Sequence, residues 1–467
     1  MISLWKSIEE SLLFWIGEIN GYVWGWPTLV LLVGTGIYLS LRLGFLQFRT
    51  LPYALKLAFS PKQDQKSKGD ISHFQSLTTA LAATIGTGNI AGVATAVATG
   101  GPGAVFWMWV TALFGMATKY AEAILAVKYR ITNEKGEISG GPMYYLERGL
   151  GWKWLAVLFA LFGSVAAFGI GNVVQSHSVA GALTQMSGDA IPSWATGLTL
   201  AVLTGLVLLG GIRSIGRMTA FLVPFMALFY VAGGLIIVAL NVDQVPAALS
   251  LIFTDAFSGS AVAGGVLGQV IKMGVARGLF SNEAGLGSAP IAAAAAKTDH
   301  PGRQALVSMT GTFLDTIVVC TITGLTIVMT GTFDQGNLEG AQITVAAFNN
   351  VLPTIGGLIV SIGLVLFAYS TILGWSYYGE KCFTYLFSEK TYISILYRSI
   401  FVIAVFFGAL QPIELVWTLS DTMNGLMALP NLVGLLLLSG VVASETRDFQ
   451  EKLKLEQSQK QKQNQTA

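Results

Sequence analysis

Charged residues are scarce in this chain: they make up 11% of its 467 positions, whereas hydrophobic residues make up 53%. A soluble domain carries about 25% charged residues, so a mean hydropathy of +0.64 indicates a polytopic helical membrane protein instead. The sequence lacks the alternating segments of about ten residues that a transmembrane barrel needs. The net charge is only +2, which implies no nucleic-acid partner.

Cysteine and histidine are also rare, and this limits the chemistry. Cys320 and Cys382 lie far apart and show no disulfide or metal-ligand spacing, and the 3 histidines show no metal spacing either. Because no nucleophile–base pair or metal cluster is recognisable, we expect neither an enzyme nor a cofactor. A P-loop is absent, so ATP is not the expected energy source.

Long apolar runs dominate what is present, and eleven of them are long enough to cross a bilayer. We predict spans at residues 22–41, 72–99, 103–128, 154–186, 192–211, 216–240, 261–295, 304–331, 341–374, 393–410 and 414–442. Residues 2–19 contain three glutamates and are typical of an interfacial amphipathic helix rather than a cleaved signal peptide. Residues 443–467 are rich in Gln, Glu and Lys, which predicts a disordered polar tail.

Basic residues are distributed unevenly between the two sides of these spans. Most of the 27 lysines and arginines lie in every second connection, and the opposite loops carry mainly Asp and Glu. By the positive-inside rule, the N-terminus lies outside and the polar tail is cytoplasmic. The chain therefore divides into an N-terminal amphipathic segment, extra span and linker (1–71), a ten-helix core (72–442) and the tail (443–467).

Two of the spans are unusually rich in small and polar residues. Residues 84–92 (TIGTGNIAG) interrupt the second span, and residues 274–290 (GVARGLFSNEAGLGSAP) interrupt the seventh. Glycine costs about 1 kcal/mol relative to alanine inside a helix, and unwound backbone survives in a bilayer only where it lines a cavity. Close packing of small residues between helices is the alternative interpretation.

The positions of the two interruptions favour broken helices. Counted after the first span, they fall in the first helix of each of two groups of five. Interrupted segments at corresponding positions of two halves are typical of an inverted-repeat transporter with a binding site at the membrane midplane. We therefore predict an all-α fold of eleven transmembrane helices: one extra N-terminal span plus a five-plus-five core whose first and sixth helices are broken.

These two strings, together with GGPMYYLERGLG at residues 140–151, resemble the alanine/glycine:cation symporter family over about residues 20–440. The resemblance implies a LeuT-type fold in the cytoplasmic (inner) membrane. It also implies a secondary active symporter that couples uptake of small neutral amino acids, such as alanine and glycine, to Na⁺ entry. The expected partners are that amino acid, Na⁺ and the lipid bilayer. An H⁺-coupled transporter of another small zwitterion on the same fold is the alternative, and a channel is a further one.

A zwitterion needs one site for its carboxylate and another for its ammonium group. The half-helix after the first break begins near residues 87–89 and offers free N–H groups and a positive dipole end to a carboxylate. Carbonyls around residues 278–280 can accept the ammonium group. The candidate substrate-binding residues, some of them implied by the resemblance, are Thr84, Gly86, Thr87, Gly88, Asn89, Gln175, Gly278, Phe280 and Trp375.

Carbonyls before the first break suit a hard cation, and the adjacent hydroxyls of Ser370 and Thr371 suit it as well. The resemblance implies a Na⁺ site made of the carbonyls of Ala82, Ile85 and Phe367 with these two hydroxyls. Alternatively, both hydroxyls bond only to their own helix. Asn89 could serve the ion, the substrate or the bent backbone.

Several ionisable residues lie within or at the edge of the predicted spans. Lys119 and Glu122 have salt-bridge spacing and could snorkel towards the cytoplasmic side, and Asp315 and Asp421 could relay protons. Arg277 and Glu283 flank the second break and could form gating pairs or orient it. For each of these residues we expect a structural hydrogen bond rather than such a role.

Overall fold

The computed structural model describes residues 2–60, 67–133, 136–257, 266–336, 338–387, 390–410 and 414–466, and these are helical almost throughout. The helices of the first half span Ile2–Val23, Trp26–Arg42, Leu46–Ala58, His73–Thr84, Val93–Gly100, Ala104–Lys128, Pro142–Leu150, Lys153–Phe168, Val174–Ser187, Ser193–Leu209, Gly211–Leu240 and Val245–Ala256. Those of the second half span Val266–Asn282, Ala289–Ala294, Pro301–Thr312, Thr321–Thr330, Ala341–Val351, Ile355–Leu386, Thr391–Leu410, Glu414–Leu437 and Ser439–Thr466.

Shorter elements connect or interrupt these helices. Turns of π-helix span Gly88–Gly92, Gly169–Val173 and Phe313–Cys320, and turns of 3₁₀-helix span Val242–Gln244 and Thr332–Asp334. The strands Ile131–Thr132 and Ile138–Ser139 pair antiparallel, with Ile131 opposite Ser139.

Within the described residues, seven helices are long and apolar enough to cross a membrane, or up to nine if each bent pair counts as one span. The all-α membrane fold is therefore confirmed, and the count of eleven stays a prediction. Part of the predicted seventh span, residues 261–265, lies outside the described residues, and Ser193–Leu208 is short for a span. The predicted span 341–374 is wrong at its start, because Thr354 has a φ of 68° and separates the helix Ala341–Val351 from Ile355–Leu386.

The predicted interruption of the second span is present. Ser72 caps the helix His73–Thr84 by accepting from the backbone N–H of Gln75 in a capping box. The helix ends at Thr84, and the chain resumes as Gly88–Gly100 at an angle of 54°. We call this pair the first broken helix and residues 85–87 the first break.

The seventh predicted span is also interrupted, but further along the chain than expected. The helix Val266–Asn282 continues through Gly278 and Phe280, and residues 283–288 leave the helical path before Ala289–Ala294. Glu283 has a φ of 56°, a left-handed conformation that costs a non-glycine residue energy. We call these helices the second broken helix and residues 283–288 the second break.

The two ends of the chain pack against this core. Asn20 Nδ2 donates to Asp421 Oδ2 at 3.0 Å, and Trp24 Nε1 donates to the carbonyl of Asp421 at 3.2 Å, so the helix Ile2–Val23 is joined to Glu414–Leu437. The prediction of a disordered tail is wrong, because Ser439–Thr466 is a helix. Its Phe449 is buried, its Lys452 pairs with Asp299 on the loop before Pro301, and its Glu456 pairs with Arg303 in the helix Pro301–Thr312.

The helix Ile355–Leu386, which we call the central helix, packs closely against the first broken helix. A Cβ atom on Gly374 would lie 2.7 Å from the backbone nitrogen of Ala83, so only glycine allows this approach. Further along, Tyr230 stacks against Phe348 and contacts Phe367 with ring centroids 5.3 Å apart. The close approach of Gly374 to Ala83 brings the central helix alongside the first break.

We expect Gly374→Ala to lower the melting temperature of the detergent-solubilised protein by several degrees, because overpacking costs about 1–3 kcal/mol. Gly181→Ala is the matched control, since nothing lies within 4 Å of a Cβ atom there. The melting temperature of each variant is measured by heating samples to a series of temperatures and quantifying the remaining folded protein by size-exclusion chromatography. A melting temperature for Gly374→Ala equal to that of Gly181→Ala would contradict the close packing.

Candidate functional site

Asn89 holds the first break in its bent shape. Its Oδ1 accepts a hydrogen bond of 2.9 Å from the backbone N–H of Gly86, which the unwound chain leaves without a helical partner. Its Nδ2 donates to Asp315 Oδ1 at 2.7 Å. Both ends of the amide are thus engaged by the protein, and this geometry favours the backbone role among the three that the sequence allows for Asn89.

The carboxylate of Asp315 joins the two breaks. Besides Asn89 at the first break, Ser281 beside the second break donates from its Oγ to Asp315 Oδ2 at 2.9 Å, and Thr316 Oγ1 donates to the same oxygen at 2.7 Å. All these side chains are buried. A carboxylate in a membrane interior needs such partners, because its desolvation is otherwise uncompensated.

The five predicted sodium ligands come together on one side of the first break. Ser370 Oγ lies 3.2 Å from the carbonyl of Ala82 and 3.5 Å from that of Ile85, and Thr371 Oγ1 lies 3.1 and 3.5 Å from the same two oxygens. Each hydroxyl is nearest to the carbonyl oxygen of Phe367, at 2.8 Å for Ser370 and 3.0 Å for Thr371. The hydroxyls therefore face the break as well as their own helix. Buried hydroxyl and carbonyl oxygens form a donor set that fits Na⁺.

Gly86 lies directly beside this oxygen cluster. A Cβ atom at this position would lie 2.5 Å from Thr371 Oγ1 and 3.7 Å from Gln175 Oε1. The absence of a side chain at Gly86 lets the central helix approach the break. Gly88 is less crowded, because a Cβ atom there would meet the ring of Phe280 at 3.4 Å.

Gln175 reaches the first break from the helix Val174–Ser187. Its Nε2 donates to Thr87 Oγ1 at 3.2 Å and to the carbonyl of Ile170 at 3.0 Å. Its Oε1 is buried and has no hydrogen-bond partner within the part of the chain that the structure describes. A buried acceptor without a partner is costly, so a ligand with an N–H donor is favoured beside Gly86.

Phe280 and Trp375 are the two aromatic residues among the predicted substrate residues. Phe280 stands over Gly88, as its ring contact shows, and it also borders a cavity of ≈ 330 Å³ on the side of the N-terminal helix. Trp375 is buried against Gly171 and meets Tyr378 edge-on with centroids 5.7 Å apart.

Two predicted residues point elsewhere. Gly278 faces Thr111, whose Oγ1 would lie 2.4 Å from a Cβ atom at Gly278, so this glycine is needed for helix packing rather than for unwinding. The hydroxyl of Thr84 bonds to the carbonyls of Ala80 and Leu81 in its own helix, at 3.2 and 3.3 Å.

The charged residues near the second break are buried rather than snorkelling. Lys119 is 4% exposed and Glu122 is 0% exposed, so neither reaches the membrane surface by snorkelling. Glu122 Oε1 accepts from Asn431 Nδ2 at 2.7 Å, and Asn431 also donates to the carbonyl of Gly285 at 2.8 Å. Glu283 accepts a hydrogen bond from Ser288, so the second break is held by side chains on both sides.

Sequence reasoning missed the junction at Asp315. It recognised the residue as an intramembrane carboxylate but could not assign its partners, which lie 226 and 34 positions away at Asn89 and Ser281. The available signal was that an unpaired carboxylate in a span requires donors, and both breaks are rich in amides and hydroxyls.

Known proteins share both the sequence and the fold. The model of the sodium:alanine symporter family matches residues 9–464. The sodium/alanine symporter AgcS of Methanococcus maripaludis is 62% identical over 93% of this chain and 97% of its own length. In Bacillus subtilis, the putative sodium/proton-dependent alanine carrier YrbD is 37% identical over 94% of this chain and 93% of its length. The probable sodium/glutamine symporter GlnT of that organism is 36% identical over 93% of this chain and 90% of its length.

Among solved structures, MhsT in complex with L-phenylalanine matches with a TM-score of 0.58 at 15% identity, covering 81% of this chain and 93% of MhsT. This likeness confirms a LeuT-type helical fold.

We expect Gly86→Ala to abolish sodium binding, because the added methyl group displaces the Thr371 hydroxyl. Gly92→Ala, in the same broken helix, is the matched control, since nothing lies within 4 Å of a Cβ atom there. Binding of radioactive sodium to the purified variants measures the difference. Equal binding by the two variants would exclude a site at the Thr371 hydroxyl.

Proposed function

Because the chain belongs to the sodium:alanine symporter family, we propose that it couples the uptake of small neutral amino acids, alanine or glycine, to the entry of Na⁺. The observation that carries this proposal is the cluster of oxygens at the first break, where the Ser370 and Thr371 hydroxyls meet the carbonyls of Ala82 and Ile85. An inward sodium gradient supplies the energy, and alternating access moves ion and amino acid together.

The proposed sodium ligands are the carbonyls of Ala82, Ile85 and Phe367 and the hydroxyls of Ser370 and Thr371. No carboxylate is among them, so the ion is held by neutral dipoles and its release is not opposed by a fixed negative charge. Such a site suits a carrier, which must bind its ion on one side and release it on the other.

The amino acid lies beside the ion, at the bend of the first broken helix. Its carboxylate accepts from the N–H groups of Thr87 and Gly88, where the second half-helix begins and its dipole is positive, whereas the N–H of Asn89 already donates to the carbonyl of Gly86 at 3.3 Å. Its ammonium group donates to Gln175 Oε1, the buried acceptor that lacks a protein partner within the described residues. Thr84 and Gly278 are the weakest members of the proposed set, because their groups face away from this space.

The size of the substrate is limited by aromatic rings. Phe280 stands over Gly88, and we propose that Phe280 and Trp375 wall the space around the substrate side chain. The relative at 62% identity is named for alanine, whereas one at 36% identity is named for glutamine, which favours a small substrate here.

We further propose the membrane arrangement that the loop charges predict. It has eleven spans in the cytoplasmic membrane, with the N-terminus outside and the C-terminal helix in the cytoplasm. The ten spans after the first form two inverted groups of five, and the two broken helices occupy corresponding positions in them.

Coupling to protons is the second candidate, since one relative is named as sodium/proton-dependent. It would assign the proton to an intramembrane carboxylate, and Asp315 is hydrogen-bonded to side chains beside both breaks. Its two oxygens already accept hydrogen bonds from Asn89, Ser281 and Thr316, which favours the structural role over a relay.

Uptake of labelled alanine into proteoliposomes tests the coupling. We expect an inward sodium gradient to raise the initial rate at least tenfold over sodium-free buffer of the same pH. A proton gradient alone should leave the rate at the sodium-free level. Equal uptake with and without sodium would reject sodium coupling, and stimulation by the proton gradient alone would favour the second candidate.

The ligand role of Thr371 is tested by removing its hydroxyl. We expect Thr371→Ala to raise the sodium concentration for half-maximal uptake about tenfold or more, because one buried ligand is lost. Thr371→Ser keeps the hydroxyl and should stay close to the wild-type value. Ser376→Ala is the matched control, since that hydroxyl donates to Leu373 in its own helix. An unchanged sodium dependence in Thr371→Ala would remove this residue from the site.

A further inference from the structure

The two broken helices are joined by backbone hydrogen bonds at one end of the molecule. The N–H of Asp70 donates to the carbonyl of Ala295 at 2.8 Å, and the N–H of Lys297 donates to the carbonyl of Ile71 at 2.7 Å. The chains lie so close that a Cβ atom on Gly69 would be 2.3 Å from the nitrogen of Lys297. We call this contact between residues 69–71 and 295–297 the closed gate, and it faces the cytoplasm in the proposed orientation.

Arg130 reinforces the closed gate from the end of the helix Ala104–Lys128. Its Nη1 donates to the carbonyls of Ala294 and Ala296 at 2.8 and 2.7 Å, and its Nη2 donates to the carbonyl of Lys68 at 2.9 Å. One guanidinium thus binds the two chain segments that meet at the closed gate. Its planar arrangement of donors allows all three hydrogen bonds at once.

Arg303 links the same region to the C-terminal helix, Ser439–Thr466. Its Nε and Nη2 donate to the two carboxylate oxygens of Asp299 at 2.7 and 3.2 Å, and Nη2 also donates to Glu456 Oε1 at 2.6 Å. The neighbouring Gln304 donates from Nε2 to Ser76 Oγ at 2.9 Å in the first broken helix. Two adjacent residues therefore connect the C-terminal helix to the first broken helix.

An apolar contact sits next to this ion pair. The ring of Phe449 is 2% exposed, stacks on His300 with centroids 5.2 Å apart, and lies beneath the Arg303 guanidinium at 5.6 Å. A Cβ atom on Gly302 would lie 2.6 Å from the Phe449 ring, so the helix and the loop fit closely. A buried aromatic ring with a stacked guanidinium stabilises the contact beyond the ion pair itself.

Two further ion pairs hold the C-terminal helix in place. Lys452 Nζ lies 2.7 Å from Asp299 Oδ2, and Lys128 pairs with Glu445. Burial alone would raise the pKa of Asp299, but the hydrogen bonds and charges of Arg303 and Lys452 lower it to about 2. Since the folded pKa is below the ordinary value, the stabilisation is complete above that value and is lost only as the pH falls through about 2. The contact therefore persists at neutral pH.

We propose that the C-terminal helix is a clasp on the closed gate, and that Arg303 is the positioning residue through which it acts. Opening this side requires residues 295–297 to leave residues 69–71, and Arg303 holds the segment that follows to the C-terminal helix. The clasp favours the conformation that is closed here and open to the opposite side, and it must yield in each transport cycle. This inference rests on the proposed function for its place in transport, while the clasp itself is tested without transport.

A cysteine at Ala293 reports the opening of the gate. Ala293 is buried in the second broken helix and borders a small cavity shared with Thr84 and Lys119. The native Cys320 and Cys382 are buried, and the parent protein without the added cysteine gives their background. The full-length protein is labelled with a membrane-impermeant maleimide in inside-out vesicles, and the rate of labelling is measured.

We expect Glu456→Gln to raise the labelling rate of Ala293→Cys about twofold to fivefold, since a partly exposed ion pair contributes modestly. Phe449→Ala should raise it about tenfold or more, because a buried ring is lost. Glu456→Asp keeps the charge and should fall between wild type and Glu456→Gln. Glu451→Gln, on the exposed side of the same helix, is the matched control and should equal wild type.

The second readout is the external alanine concentration for half-maximal uptake, which should rise as the population open to the outside falls. Labelling rates in Glu456→Gln and Phe449→Ala equal to that in Glu451→Gln would overturn the clasp. If Phe449→Ala does not accumulate in the membrane, the labelling rate of the conservative variant Glu456→Gln alone decides whether the clasp exists. The variants could label faster although the wild-type protein shows no sodium-driven uptake. That result would support the clasp and reject the proposed function, so failure of the clasp and failure of the proposed function are distinguishable.

Discussion

The hydrogen bonds to the carboxylate of Asp315 are the interaction on which the rest of this structure depends. Unwinding two helices in a membrane exposes polar backbone that neither lipid nor water can satisfy. Here two side chains beside the breaks, the Asn89 amide and the Ser281 hydroxyl, both donate to one buried carboxylate. These hydrogen bonds compensate the desolvation of the carboxylate, and the other end of the Asn89 amide accepts from the exposed backbone N–H of Gly86. The distance between the two broken helices is thereby fixed at the centre of the molecule.

The consequences reach the proposed sodium site through a short series of contacts. Asp315 orients the Asn89 amide, whose other end accepts from the N–H of Gly86 and so sets the bend of the chain. That bend points the carbonyls of Ala82 and Ile85 towards the hydroxyls of the central helix. The central helix can come this close only because Gly374 carries no side chain against Ala83. The oxygen cluster is therefore a product of long-range packing around a local defect.

Local composition predicts the first break, because glycines disfavour a helix there, while the shape of the bend is set by Asn89. The second break lies within the predicted interruption at residues 274–290 but not at Gly278, which serves packing against Thr111; the chain unwinds at Glu283, a residue type that rarely adopts a positive φ. The composition of the polar tail predicts disorder for a similar reason, since it gives no sign that Phe449 and Glu456 find partners around Arg303. The position of the second break and the folding of the C-terminal helix depend on residues that are distant in the chain, and the local sequence pattern does not reveal these contacts.

The position of Gly86 suggests how ion and amino acid depend on one another. A Cβ atom on Gly86 would lie 2.5 Å from the Thr371 hydroxyl, which faces the proposed sodium site, and 3.7 Å from Gln175 Oε1, which faces the proposed ammonium site. Because Gly86 directly follows Ile85, an ion that fixes the carbonyl of Ile85 would also fix the backbone that meets the proposed substrate. Coupling is a free energy shared between two sites, and it is reciprocal. A bend whose two sides bind two ligands supplies that shared element, because ordering it for one ligand lowers the entropy cost of binding the other.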